Sequence, residues 1–472
     1  MNGTMNAWFG DDQVPLAALR RQAFNLRWAT LPEDVIPLTA ADPDFAVAPA
    51  VREAIARQAA EGLFSYGPAG GLPAFRQACA RFCRERRGMG GGAERILAVD
   101  GAAAGMLHVC RLLLRPGDEA IIFDPVDFLF QAAVEAAGAS VLRLPVDPLS
   151  GRLELERLEA LVTGRTRLLA VCNPLNPVGR VLRHDELMAL ATFAIRHDLA
   201  ILNDEVWSDI VFAAEPDGRE ITAEKGRQTG EERATEIDAV SGAEPATQAA
   251  AVAAPQKPAV RFQSLAALAP EVAARCWTVH GFSKNYGLAG LRVGYVHCPD
   301  GASCERLLKA SLADTTIHGV ATLSQIAALA ALEEGEAWLA SWLAHLERQR
   351  NLAVAALATM PGTSVRSPEG TYVLFPRINH HGLSATALTE RLLQRQRLAL
   401  VPGAPRWFGP GAAGHLRLVF STSEAILREG LGRLRRGLEE LEQELGGGAG
   451  SEAGGLGGEG GADRAEGLKG LG

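Results

Sequence analysis

No apolar run in this chain approaches the roughly 20 residues needed to cross a bilayer, so no membrane-spanning segment is expected. Nor is there a basic surplus: 47 Lys and Arg are set against 55 Asp and Glu, a formal net charge of -8. That balance gives no electrostatic footprint for nucleic acid and suits small-molecule partners. The opening MNGTMNAWFGDD lacks the cationic start and apolar stretch of a secretory signal, which points to a cytoplasmic protein. Cysteine pairing is also missing from the pattern. The seven cysteines (79, 83, 110, 172, 276, 298 and 304) are an odd count, mostly within apolar segments, where reduced thiols pack as small hydrophobes. Cys79 and Cys83 share a helix face, but no second Cys/His pair at metal spacing accompanies them, so no metal site is expected.

What is present is length and alternation. With 472 residues and 47% hydrophobic content, the chain can bury one large core and a second, smaller one. From about residue 49 to 297, helical patterns alternate with short apolar runs at 96–99, 120–123, 140–144, 168–171, 199–202, 276–279 and 293–296. Helices between short buried strands predict an α/β fold with a mostly parallel central sheet, covered on both faces. After Ala302 the pattern shifts to long helices, at 336–360 and 424–444, mixed with strand-like runs at 372–375 and 415–420, which reads as a smaller α+β domain.

Two segments fit neither domain. Residues 214–258 are rich in Ala, Glu, Gly, Thr and Gln without sustained apolar periodicity, so a flexible insertion is expected. Residues 446–472 are dominated by Gly with scattered Glu and cannot bury enough apolar surface to offset their ordering entropy, which predicts a disordered tail.

The chemistry concentrates around Lys284, in Gly281-Phe282-Ser283-Lys284-Asn285-Tyr286-Gly287-Leu288-Ala289-Gly290-Leu291-Arg292. A lone lysine in a Gly-rich loop is ordinarily a surface charge. Flanked by small residues, its amine can instead approach an aldehyde cofactor and form an imine, with Arg292 near enough to hold a phosphate. The turn Asp100-Gly101-Ala102-Ala103 follows an apolar strand and opens a helical pattern, so its backbone amides can approach an anion, although close strand-to-helix packing explains the same residues. Asp204 ends the run that starts at Leu199; a carboxylate at the carboxyl end of a parallel strand points into the ligand crevice, or caps the next helix. Arg417, on a strand-like run, carries a fork suited to a carboxylate.

These motifs, with Asn173-Pro174-Leu175-Asn176-Pro177-Val178-Gly179, closely resemble the signatures of class I and II aminotransferases, the fold-type I pyridoxal-phosphate enzymes. The resemblance covers about residues 35–441 apart from the insertion. It implies pyridoxal 5'-phosphate joined to Lys284, Asp204 at the pyridine nitrogen, and Asn176 at the ring oxygen and the substrate carboxylate. The phosphate would be held by Ala102, Ala103, Ser283 and Arg292, with backbone amides standing where the family often has a Ser or Thr hydroxyl. Arg417 would take the substrate carboxylate, aided by the segment around Ala41, and Tyr66 would reach the phosphate of a neighbouring subunit in a homodimer with shared sites. The division implied is an amino-terminal segment (residues 1–45) packing with the small domain (303–445), and a large cofactor-binding domain (46–302).

Two positions depart from the family pattern. Trp207 stands where Tyr is usual and where the carbon-sulfur lyase branch often has His. Asp127 falls where many relatives stack an aromatic ring on the cofactor, so Phe128 is expected to stack instead and Asp127 to be free for a cationic substrate group. The expected activity is amino transfer between an α-amino acid and a 2-oxo acid through Lys284. The segment around Ala41 also resembles the cystathionine β-lyase-like branch, which makes carbon-sulfur β-elimination the alternative; a non-catalytic regulatory protein of the same fold is a third reading.

Overall fold

The computed structural model describes residues 8–212, 221–222, 261–379 and 382–446. Its centre is a seven-stranded sheet in the order Ile96–Val99, Gly294–His297, Cys276–Gly281, Ala200–Asp204, Thr166–Cys172, Glu119–Asp124 and Ser140–Pro145. Gly294–His297 runs antiparallel to both its neighbours, and the remaining strands run parallel. The six strands other than the edge strand Ser140–Pro145 are almost wholly buried, as expected where helices cover both faces.

All seven expected runs become strands, with shifted ends. With the strand itself beginning at Ala200, the run that starts at Leu199 ends at Asp204 as expected. The ladder holds there because Asn203 and Asp204 register against Thr278 and Val279. Helix Ala102–Leu113 covers the sheet with Gly105, Met106, Val109 and Cys110, the spacing of one helical face. Cys79 and Cys83 lie buried in helix Pro73–Arg87 and contribute packing.

The amino-terminal segment meets the carboxy-terminal part of the chain. Ile36–Pro37 pairs in parallel with Leu398–Ala399. Phe9 packs among Phe45, Trp338 and Trp342, with ring centroids 5.2, 5.3 and 5.1 Å away. Each fully buried ring of that size contributes about 1.5–3 kcal/mol, so the cluster fastens the segment to helix Glu336–Leu357. The stretch from Ala40 to Asp44 is pinned by Arg27, which donates to the Ala40 carbonyl at 3.0 Å and forms a buried ion pair with Asp44. Trp28 Nε1 donates to the same carboxylate at 2.8 Å.

Of the expected insertion at 214–258, only Ile221 and Thr222 fall within the described residues. They form a short strand antiparallel to Thr363–Val365. The rest of the insertion, and the tail beyond Gly446, lie outside the described residues. Among the described residues no helix is long and apolar enough to cross a membrane.

Candidate active site

The carboxyl ends of the parallel strands share one edge, the usual crevice of such sheets. A cavity of about 510 Å³ opens there, and Ala102, Ala103, Asp127, Phe128, Asn176, Asp204, Trp207, Ser283, Lys284, Arg292, Ala41 and Arg417 all line it. The sequence-predicted residues therefore converge, with one exception. Tyr66 is 86% exposed and does not line the cavity, and its one ring contact among the described residues is with His318, at 5.0 Å.

One end of the cavity is built for an anion. The chain leaves Val99 through Gly101 at φ 91°, where a Cβ would come within 3.0 Å of Arg292 Nη2, so glycine is required. Helix Ala102–Leu113 begins there without a side-chain cap, leaving its first amides directed to the cavity, where a helix start favours negative charge. Arg292, itself at φ 48°, donates to the Asp100 carbonyl at 3.0 Å and the Ala289 carbonyl at 3.2 Å. Gly294 lets the antiparallel strand pass close behind, since a Cβ would sit 2.5 Å from the His280 carbonyl.

At the cavity floor, Asp204 accepts a hydrogen bond from the Val206 amide at 3.0 Å, which closes a turn over residues 206–209, not a helix. Burial pushes its pKa up to about 7, the Val206 amide opposing and the Asp127 charge adding to the shift. Such a carboxyl favours a cationic partner, which would draw its pKa back down.

Lys284 Nζ donates to the Ala41 carbonyl at 2.9 Å and lies 5.4 Å from the centroid of the Trp207 ring. Burial lowers its pKa, against the opposing pull of Asp42 and Asp127. At Ala41 it is the backbone carbonyl that meets Lys284. That carbonyl also accepts the Tyr372 hydroxyl at 3.0 Å. Sequence reasoning missed Tyr372, because its partner lies far away in the chain and its local pattern reads only as a strand start.

Asp127 also differs from expectation. Its carboxylate caps helix Phe128–Glu135 by accepting from the Leu129 amide at 3.1 Å, and accepts Asn176 Nδ2 at 2.8 Å. It is therefore occupied with orienting Asn176. Two carboxylates of the cavity, Asp42 and Asp204, accept no side-chain hydrogen bond and no ion pair among the described residues. Phe128 lines the cavity, but its ring meets Trp407 edge-on at 5.8 Å. Arg417 donates to the Thr39 carbonyl at 3.2 Å and lies 5.1 Å from the Phe408 centroid. Asn176 Oδ1 and Arg417 Nε are buried with no partner among the described residues.

A second polar cluster lies behind the floor. Asp209 accepts from Arg87 and from Asn285 Nδ2 at 2.7 Å, with His280 Nε2 3.4 Å away. Burial raises its pKa, but Arg87 and His280 overcome that and hold it well below the usual carboxylate range. Because Asn285 follows Lys284, this cluster anchors the lysine loop.

The donor set fits pyridoxal phosphate: an acid lacking a cation for the ring nitrogen, a buried amide with an unused oxygen, an uncapped helix start with an arginine for the phosphate, and a lysine amine facing them. Fold and cavity together define the class, a fold-type I pyridoxal-phosphate enzyme. The chain belongs to the aminotransferase class I and II family, whose model matches residues 33–434. It is 32% identical over 404 residues to an arginine–pyruvate transaminase of Pseudomonas aeruginosa, covering 85% of this chain and 89% of that protein. An aromatic aminotransferase from Pyrococcus horikoshii OT3 superposes with a TM-score of 0.72 at 28% identity, covering 86% of this chain and 96% of the other. Cystalysin from Treponema denticola, which contains pyridoxal 5'-phosphate, gives 0.74 at 19% identity, covering 89% and 97%, a likeness of fold alone. The protein is a pyridoxal-phosphate-dependent aminotransferase, and the lyase alternative gains no support beyond that fold.

Proposed function

We propose that the enzyme moves the amino group of an α-amino acid to a 2-oxo acid, with Lys284 as the group that moves the Cα proton. The observation that carries this assignment is the placement of the Lys284 amine in the same buried cavity as Asp204 and Arg417. When bound, pyridoxal phosphate supplies an aldehyde carbon for the amino nitrogen and a ring that withdraws electrons from Cα. Asp204 would keep the ring nitrogen protonated. Ala102, Ala103, Ser283 and Arg292 would hold the phosphate. Arg417, whose Nε is unused, would take the substrate carboxylate, and Asn176, oriented by Asp127, would hold the ring oxygen and the near side of the carboxylate. With the carboxylate fixed, the Cα hydrogen is turned toward Lys284, whose lowered pKa favours the neutral amine that accepts it.

Arginine with pyruvate is the first substrate pair to test, since the Pseudomonas relative bears that name and Asp42 offers an unpaired carboxylate in the cavity. The working form is proposed to be a cytoplasmic homodimer in which Tyr66, exposed here, reaches the neighbouring subunit's phosphate site. The domain division into residues 46–302 and 303–445, with 1–45 joining the latter, is supported by the pairing of Ile36–Pro37 with Leu398–Ala399.

The test is a panel of amino acids added singly to the holoenzyme, following the cofactor spectrum in one turnover and the release of pyruvate and ammonia. Stoichiometric conversion that reverses on adding a 2-oxo acid is expected. Pyruvate and ammonia accumulating from cystathionine without an acceptor would instead assign β-elimination.

A further inference from the structure

Tyr372 is held in place from several sides. Thr371 before it is fully buried at φ 70°, a conformation rare for a β-branched residue, and its amide donates to the Ile210 carbonyl at 2.9 Å. The Phe420 amide donates to the Tyr372 carbonyl at 3.1 Å, linking it to the strand that carries Arg417. The Tyr372 ring is fully buried, edge-on to Trp207 at 4.7 Å and to Trp342 at 6.1 Å. Its hydroxyl and the Lys284 amine converge on one acceptor, the Ala41 carbonyl, at 3.0 and 2.9 Å. A carbonyl oxygen offers two lone pairs, and both are used.

We propose that Tyr372 is a positioning residue: by taking one lone pair of the Ala41 carbonyl it fixes where the Lys284 amine rests and limits how strongly that carbonyl holds the protonated form. The inference rests on the reading of Lys284 as the proton-moving amine. A hydrogen bond from an ammonium is roughly twice as strong as one from a neutral amine, so an undivided acceptor would favour ammonium. The groups facing Lys284 are Asp42, Asp127, Asp204 and Arg417, with Arg292 along the same cavity. The three carboxyl groups and the face of Trp207 favour the cation, whereas Arg417 and burial oppose it. Tyr372 adds to the opposing side while leaving the amine aimed.

The experiment uses Tyr372→Phe, which deletes the hydroxyl and keeps the ring. In holoenzyme brought to its pyridoxamine phosphate form, Lys284 is free of the cofactor, and its acetylation by acetic anhydride can be followed against pH by peptide mass spectrometry, with exposed Lys309 as reference. The half-reactive pH of Lys284 is expected to rise by about half a unit to one unit in the variant. Single-turnover rates at pH 7 should fall about five-fold and recover toward pH 9, with KM unchanged and a larger isotope effect from Cα-deuterated substrate. An unchanged Lys284 profile, or a rate loss that is flat with pH at an unchanged isotope effect, overturns the proposal. Transamination surviving in Lys284→Ala would instead overturn the reading of the lysine itself, whatever Tyr372→Phe showed.

Discussion

Asp204 ends strand Ala200–Asp204 and Asp209 lies in the turn that follows, its side chain only 8% exposed, and their surroundings act on them in opposite ways. Asp209 is surrounded by Arg87, His280 and Asn285, and stays ionised inside the protein. Asp204 has one backbone amide, and its pKa rises to about 7. The difference separates two uses of a buried acid. One is complete within the chain and holds the lysine loop; the other is left short of positive charge that a ligand can supply.

Replacing residues on either side should expose that contrast. The largest effect is expected from Lys284→Ala, which removes the proton-moving amine: transamination should fall by a factor of about 10²–10⁴, and borohydride should no longer fix the cofactor to the chain. Asp204→Asn should lower kcat by roughly 10²–10³ while leaving the fold intact. Its stability effect has a defined sign. A carboxyl whose folded pKa lies above its unfolded value contributes stability at low pH that is lost as pH rises through the folded pKa, here between about 4 and about 7. In cofactor-free protein, Asp204→Asn should therefore melt higher than wild type at pH 8, and the difference should shrink toward pH 5.

Asp209→Asn should behave in the opposite way, costing about 3–5 kcal/mol of stability by leaving Arg87 buried and unpaired. Denaturant unfolding checks it, and the folded fraction should keep a bound cofactor. If Asp209→Asn left stability untouched and Asp204→Asn destabilised at every pH, the contrast between the two acids would fail. The smallest effect is expected at Asp127→Asn. Asn caps a helix about as well as Asp, so stability should change by less than about 0.5 kcal/mol, and relative rates on basic and neutral amino acids should stay equal to wild type, because Asp127 is engaged by Asn176 and Leu129.

The sheet was legible because strands buried on both faces leave apolar runs that turn residues interrupt. The ends were less so: Leu199 fits the apolar run, but its amide closes the preceding turn onto the Ala194 carbonyl and the strand starts at Ala200. Lys284, Asn176, Asp204 and Arg292 were legible because each sits in a short local motif. Tyr372 and the Ala41 carbonyl were not, since their contact joins two segments that only the folded chain brings together. Asp127 was visible as a departure, but its bond to Asn176 was not, since the two lie 49 residues apart in the chain.

The reversed strand Gly294–His297 has one more implication. Because it runs opposite to Cys276–Gly281, the chain leaves one strand through Lys284 and re-enters the sheet through Arg292 at the same edge. One short ribbon thus carries both the proposed covalent tether, Lys284, and a cation placed to grip an anion, Arg292. Distance between those two holds is set by the backbone of that ribbon, like the jaws of a fixed-gauge caliper, and changes in residue number between Lys284 and Arg292 should be tolerated far less well than changes of side chain there.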